Sequence, residues 1–415
     1  MCKKLLGLCV LLLLIFGCTQ GGTSNPGGLP EPAVYLGCKV ISETEIALEF
    51  SAPVMVDSLS FEPALEIDSI EDGTTVRVHL AKRFKQGISY LADILAVDAW
   101  GEVIAETVSF KTDAPELLFI GSRVESEKIV DFDFSTLIQM ITVSFDPAIE
   151  IRSIEKGSTV RVSLNEDLKP GQRIETVILA EDEFGQTIDV TIPLQAGNNR
   201  IPKLLINELR TEYSGSASRA EFIEFKILTD GNLGGLQVFA ASNANSPMIY
   251  EFKPVEIAAG EYVVLHLRTL EDGCIDEYGD RLDVSGGRDS SPIARDFWIP
   301  GSTKLLRKTD IVYIADQHER VLDAVIISEN PDPQWGREHF SQTAKMLFSQ
   351  GIWRSSSGKA ATPADAVSSA NIKTSLTRSI SRDETVINSG TATDWYVTAT
   401  SGITPGLLNS SARFE

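Results

Sequence analysis

Short runs of alternating apolar and polar residues recur along most of this chain. In Thr75-Val76-Arg77-Val78-His79-Leu80 every second residue is apolar, and Glu45-Ile46-Ala47-Leu48-Glu49-Phe50 alternates in a similar way. A period of two puts one set on each face of a strand, so that one face can be buried. Turn-forming clusters separate the runs: Glu71-Asp72-Gly73, Lys85-Gln86-Gly87 and Asp98-Ala99-Trp100-Gly101. Short strands between regular turns predict an all-β architecture built from β-sandwiches.

The pattern is also repeated. Phe61-Glu62-Pro63-Ala64-Leu65-Glu66-Ile67 returns as Phe145-Asp146-Pro147-Ala148-Ile149-Glu150-Ile151, an offset of 84. Gly73 to Val78 matches Gly157 to Val162 at the same offset, and Asp98 and Gly101 match Asp182 and Gly185. A constant offset over this length predicts two copies of one domain, residues 34–113 and 114–197. Gly73 and Gly157 are then equivalent turn residues, and Val76, Val78, Val160 and Val162 are core residues. Phe50-Ser51-Ala52-Pro53, Gly87-Ile88-Ser89-Tyr90, Asp98 to Gly101 and Phe110-Lys111-Thr112 resemble the bacterial Ig-like domains of cell-surface proteins. The second copy departs from that pattern at Leu137, Ile174 and Pro193-Leu194, and it carries Ser122 where the first has Cys38.

A third region follows the joint at residues 196–202. It opens with Ile206-Asn207-Glu208 and continues with Glu221-Phe222-Ile223-Glu224-Phe225, Gly260-Glu261-Tyr262-Val263-Val264-Leu265, Ser375-Leu376-Thr377-Arg378, Asp394-Trp395 and Thr404-Pro405-Gly406. This order resembles the lamin tail domain, an Ig-like β-sandwich. Phe222 stands where that family usually has tryptophan. The resemblance implies one sandwich over residues 203–410, lengthened by insertions at about 268–300 and 328–370. In the second insertion Phe340, Ala344, Leu347 and Phe348 form a helical stripe, with Pro331 and Pro333 before it and Gly351 after it. The stretch from Ser355 to Lys373 reads as loop. The expected fold is therefore three tandem Ig-like β-sandwiches, the last with insertions that include one short helix.

The N-terminus has a different character. Lys3 and Lys4 precede an apolar run from Leu5 to Phe16, which is too short for the ~20 residues that span a bilayer. A basic start, a short apolar core and a small residue describe a secretion signal, residues 1–17. Ile15-Phe16-Gly17-Cys18 resembles a bacterial lipobox, which implies that Cys18 is lipidated and attaches the protein to a membrane. Glycine, proline and serine dominate the segment up to residue 33, a flexible tether.

Charge and candidate chemistry narrow the function. The net charge of −21 repels phosphate backbones, so no nucleic-acid partner is expected. Of the five cysteines, Cys2 and Cys9 belong to the signal and Cys18 to the lipid, leaving Cys38 and Cys274 without a disulfide framework. The histidines are His79, His266, His318 and His339, and none sits in a zinc-protease motif. His79 and His266 read as strand residues and His318 as part of a turn. The carboxylates between Glu271 and Asp280 do not have the spacing of a twelve-residue calcium loop and read as solvated charge. Glu221 and Glu224 are read as framework residues. No catalytic residue, metal site or cofactor is expected. Of the tryptophans near the insertions, Trp335 and Trp353 are expected in a local core under the helix. Trp298 is expected to be exposed, as a partner contact.

The expectation for function is a non-enzymatic, lipid-anchored protein of the bacterial cell envelope, exported to the outer membrane or periplasmic face. The repeats act as a spacer, and the third region docks a protein partner. The alternatives are an accessory subunit for an envelope hydrolase, such as a nuclease or phosphoesterase, and a metal-dependent enzyme using the acidic insertion.

Overall fold

The structure is a computed structural model that describes residues 31–355, 357–372 and 377–414. The expected signal peptide, Cys18 and most of the tether lie outside the described residues. The described chain is all-β, with several sheets and one α-helix. The described residues divide into two compact units, one ending at Pro115 and the other beginning at Glu116.

In the first unit the strands are β1 (Tyr35–Ser42), β2 (Glu45–Glu62), β3 (Ile67–Glu71), β4 (Gly73–Leu80), β5 (Ser89–Asp98) and β6 (Val103–Lys111). They pair in the order β3-β4-β2-β5-β6, with β1 also on β2. The long β2 serves two neighbours. Its first half pairs with β4 and its second half, from Val54, with β5. Pro53 sits at the changeover, where a residue without an N–H is tolerated. Ile46, Leu48, Phe50, Val54 and Phe61 from β2 join Val76 and Val78 from β4 in one core.

The second unit opens with the other copy of the repeat. Its strands are β7 (Phe119–Ser126), β8 (Ile129–Phe134), β9 (Ile138–Asp146), β10 (Ile151–Glu155), β11 (Thr159–Leu164), β12 (Arg173–Asp182) and β13 (Thr187–Gln195). The counterpart of β2 is broken into β8 and β9, so the pairing separates into β10-β11-β8-β7 and β13-β12-β9. The hairpins keep the repeat offset. Ile70 faces Val78 across β3 and β4, and Ile154 faces Val162 across β10 and β11. Val76, Val78, Val160 and Val162 are all fully buried. Asp98 and Asp182 each accept backbone N–H groups two and four residues ahead, from Trp100 and Glu102 and from Phe184 and Gln186. These bonds close the tight turns that the sequence marks with Gly101 and Gly185.

The rest of the second unit comprises β14 (Leu204–Arg210), β15 (Phe222–Ile227), β16 (Gly231–Asn232), β17 (Gln237–Ala240), β18 (Met248–Glu251), β19 (Glu256–Ile257), β20 (Tyr262–His266), β21 (Arg295–Trp298), β22 (Asp310–Ala315), β23 (Val321–Ser328), α1 (Glu338–Ser349), β24 (Val367–Ser368), β25 (Ile380–Arg382) and β26 (Trp395–Val397). One sheet runs β21-β20-β15-β14-β25-β26, another runs β18-β17-β22-β23-β24, and β16 pairs with β19. A single apolar core takes residues from both larger sheets and from α1, including Ile206, Phe225, Val263, Ile311, Val325 and Leu347. The helix expected from the Phe340 stripe is present as α1, with Phe340, Ala344 and Leu347 buried. Trp353 is buried in the same core and Trp335 packs against it.

Two stretches differ from expectation. Val367–Ser368, within the stretch read as loop, form β24 and pair in parallel with β23. Residues 268–300 are not a detached insertion either, because β21 extends the first sheet in parallel with β20. Both are parallel pairings with distant partners, which leave no local periodicity to read. The joint at 196–202 is also packed. The Asn198 amide donates to the carbonyls of Asn232 at 2.8 Å and Gly234 at 2.9 Å. A Cβ on Gly234 would lie 1.9 Å from the Pro170 carbonyl oxygen, so glycine is required for this approach of backbone to backbone.

Candidate functional site: a buried carboxylate layer

The outer face of the β21-β20-β15-β14-β25-β26 sheet is polar, yet it is buried. The cause begins with β14. Its pairing with β15 shifts by one residue between Ile206 and Glu208, a β-bulge that leaves Asn207 as the extra residue. The bulge changes the parity of the strand. Leu204 and Ile206 before it and Leu209 after it all reach the apolar core, and Glu208 is turned to the other face. There Glu208 stands directly across from Glu224 of β15. Both glutamates are fully buried.

Their partners come from the end of the chain. Glu208 accepts hydrogen bonds from the Ser379 hydroxyl, from the Ser381 hydroxyl at 3.3 Å and from the Thr404 N–H at 3.2 Å. Glu224 accepts from the Asn207 amide at 2.9 Å and from the Gly406 N–H at 2.6 Å. Glu384 accepts from the Asn409 N–H at 2.9 Å and the Tyr262 hydroxyl at 3.0 Å, and it pairs with Lys226. The Asn409 amide donates back to the carbonyls of Asn207 at 3.1 Å and Arg382 at 2.9 Å. Residues 404–409 are thus held to the sheet by three glutamates and two asparagines. Gly406, at φ +78°, lies where a Cβ would meet Ser291 Oγ at 2.4 Å.

A loop covers the rest of the face. Glu277 is buried and accepts N–H groups from Val284 and Ser285 at 3.0 Å and from Asp296 at 2.9 Å. The acidic stretch is therefore not solvated throughout, because this carboxylate turns inward to satisfy backbone donors. Asp289 pairs with the buried Arg210 and with Arg219. Asp296 is 2.8 Å from His266 Nε2. Trp298 corrects the expectation of exposure: it is 6% exposed, its ring stacks on His266 at 3.8 Å, and its Nε1 donates to Ser285 Oγ at 2.8 Å. Such a ring is not available to a partner. Glu221 lies beyond the loop in a buried, bidentate pair with Arg268. His79 lies in β4, His318 in the turn after β22, and His339 in α1. Cys38 and Cys274 are free thiols, and burial pushes the Cys38 thiol up to about 11. Among the described residues, no three His, Cys, Asp or Glu side chains gather in a way that could hold a metal ion.

The electrostatics follow from the pairing. Burial pushes Glu208 up to about 7, against its hydrogen bonds from Ser379, Thr404 and Ser381. Burial, and then the charge of Glu208, push Glu224 well above the ordinary carboxylate range. Burial acts on Glu384 in the same sense, but hydrogen bonds from Lys226, Asn409 and Asn207 outweigh it and hold this carboxyl low. Two like charges directly across a strand pair repel, so the Glu208–Glu224 pair retains a proton where exposed glutamates have lost theirs.

Sequence reading had singled out Glu221 and Glu224. It missed Glu208, Glu384, Asn207 and Asn409 as members of one layer. The signal was present, since Ile206-Asn207-Glu208 and Thr404-Pro405-Gly406 both stand out as motifs, but only the strand register joins them.

Part of the chain is similar to known proteins. The family model "TP_1001_2nd: protein second domain" matches residues 202–397. A Treponema pallidum (strain Nichols) protein named "Uncharacterized protein" is 27% identical over 197 residues. That match covers 45% of this chain and 48% of the relative, so the chain spans about half the length of the curated relative it matches. Among solved structures, "Structure of surface layer protein SbsC, domains 1-6" is 13% identical, covers 72% of this chain and 41% of that one, and has a TM-score of 0.19. At that score the likeness carries no weight for fold or function. The family match contains β14, β15, β25 and Glu384, and it ends before the Thr404–Asn409 segment that these elements hold.

Proposed function

We propose that this chain is a non-enzymatic, lipid-anchored protein of the bacterial cell envelope. Cys18 carries the lipid and residues 18–33 form the tether. Residues 34–113 and 114–197 are Ig-like spacers. Residues 203–410 form a lamin-tail-like, Ig-like sandwich that docks a protein partner. One observation carries the non-enzymatic part of this reading. The buried carboxylates Glu208, Glu224 and Glu277 are committed to backbone and side-chain donors of their own domain, and Glu221 to Arg268. Groups spent in this way hold a scaffold together and do not face a substrate. Docking then falls to loops carried by the rigid sheets.

The anchor is tested by Cys18→Ser in a bacterial host. The parent chain is expected in the detergent phase after phase partition, and the variant in the aqueous phase or unprocessed. A variant that is processed and still enters the detergent phase overturns the anchor.

A further inference from the structure

A cleft of about 570 Å³ opens in the third region between residues 304–309 and the segment from Ser328 to the start of α1. Four cations line it: Lys304, Arg307, Lys308 and Arg337. Three carboxylates face them. Lys304 is 3.6 Å from Glu212 and Lys308 is 3.6 Å from Glu329, so these charges cancel in pairs. The Arg307 and Arg337 guanidinium groups make no ion pair or hydrogen bond among the described residues, and Asp332 is the remaining carboxylate. Two open guanidinium groups against one carboxylate stand out in a chain of net charge −21.

The wall beside them is apolar and fixed. Trp335 is half-buried, lies 5.3 Å from the Phe340 ring, and has its Nε1 bound to the Ala361 carbonyl at 2.8 Å. Arg337 and Ser242 also line a second cleft of about 660 Å³, which continues past Asn245, Ser246 and Thr303. The groove therefore combines planar cations, a held aromatic ring, and amide and hydroxyl groups. Guanidinium forks bind carboxylate and phosphate oxygens in bidentate fashion. Amides and hydroxyls pair with ligand hydroxyls, as donors and as acceptors.

We propose that this groove binds an acidic glycan, a chain of sugars bearing carboxylate or phosphate groups. Arg307 and Arg337 grip the anionic groups, and Trp335 packs against a sugar ring. This goes beyond the docking of a protein partner by giving the third region a second class of ligand, and it rests on that reading only for which region makes contact.

The test is titration calorimetry of the full chain at low salt with oligogalacturonate, a phosphomannan oligosaccharide, neutral maltohexaose and polyglutamate. At least one acidic sugar is expected to bind about tenfold more tightly than maltohexaose, and Arg307→Gln and Arg337→Gln are each expected to weaken it by about tenfold. The two acidic sugars distinguish carboxylate from phosphate recognition. Arg281→Gln, at the exposed pair with Asp283, is expected to leave binding unchanged. The proposal is overturned if neither acidic sugar exceeds maltohexaose, if polyglutamate binds more tightly than both, or if Arg307→Gln and Arg337→Gln have no effect while remaining folded. Loss of sugar binding together with normal detergent partition would remove this ligand and leave the anchored docking reading standing.

Discussion

Val78→Asp is expected to unfold the first unit and leave the second folded. Val78 is fully buried and faces Ile46 on one side and Ile70 on the other. Its neighbours across the sheet are apolar residues of β2 and β3, and none of the core residues around it offers a cationic partner. A carboxylate there pays a desolvation penalty of several kcal/mol with nothing to offset it. A unit of this size has about 4–12 kcal/mol of total stability, so most of it would be lost. The two units have separate apolar cores. Calorimetry of the variant should therefore lose one transition and keep the rest. Simultaneous loss of every transition would show that the cores are coupled.

Glu221→Ala should cost the second unit about 3–5 kcal/mol, because it leaves a buried cation unpaired. Arg268 is 2% exposed, donates to Glu221 at 2.5 and 2.6 Å, and lies 3.5 Å from the centre of the Tyr213 ring. Arginine does not discharge to escape such a site. Adding Arg268→Met removes the stranded charge, and the double variant should recover much of the loss. Urea unfolding of the three variants measures this. A double variant less stable than Glu221→Ala would mean that Arg268 contributes mainly through packing and its bond to the Ser302 carbonyl.

The repeats were legible because their information is local. A hairpin such as β3–β4 places its partners a few residues apart, so the offset of 84 in sequence reappears as the same offset in register. The break that makes β8 and β9 of the counterpart of β2 was less visible, since both copies have alternating runs and differ mainly at Pro53 and Leu137. The carboxylate layer was legible only as separate words. Glu208 and Glu224 meet because Asn207 bulges, and Thr404 reaches Glu208 from 196 residues away. Trp298 misled because Phe297-Trp298-Ile299-Pro300 ends in a proline and looks like a loop. In the fold it lies on β21, and its ring packs on a histidine of the neighbouring strand.

The central claim is that these glutamates hold the end of the chain to the sheet. Its consequence is a specific dependence on pH. Both folded values lie above the unfolded glutamate value of about 4.3, so the pair binds its proton more tightly when folded. The resulting stabilisation is complete below that value and drains away as pH rises through about 7, the value reached by Glu208. Burial lifts Asp310 and Asp323 to about 6, which adds a slope of the same sign at lower pH. Glu384 opposes it, since its lowered value contributes stability that is lost as pH falls. Glu224→Gln removes the charge at this position and its repulsion of Glu208, and its one amide oxygen can still accept from the Gly406 N–H. The deciding measurement is the melting temperature of the second unit from pH 5 to pH 9, in the parent chain and in Glu224→Gln. The account predicts a parent that loses stability through neutral pH and a folded variant whose curve is flatter there and lies higher at pH 8. Parallel curves for the two proteins would contradict it.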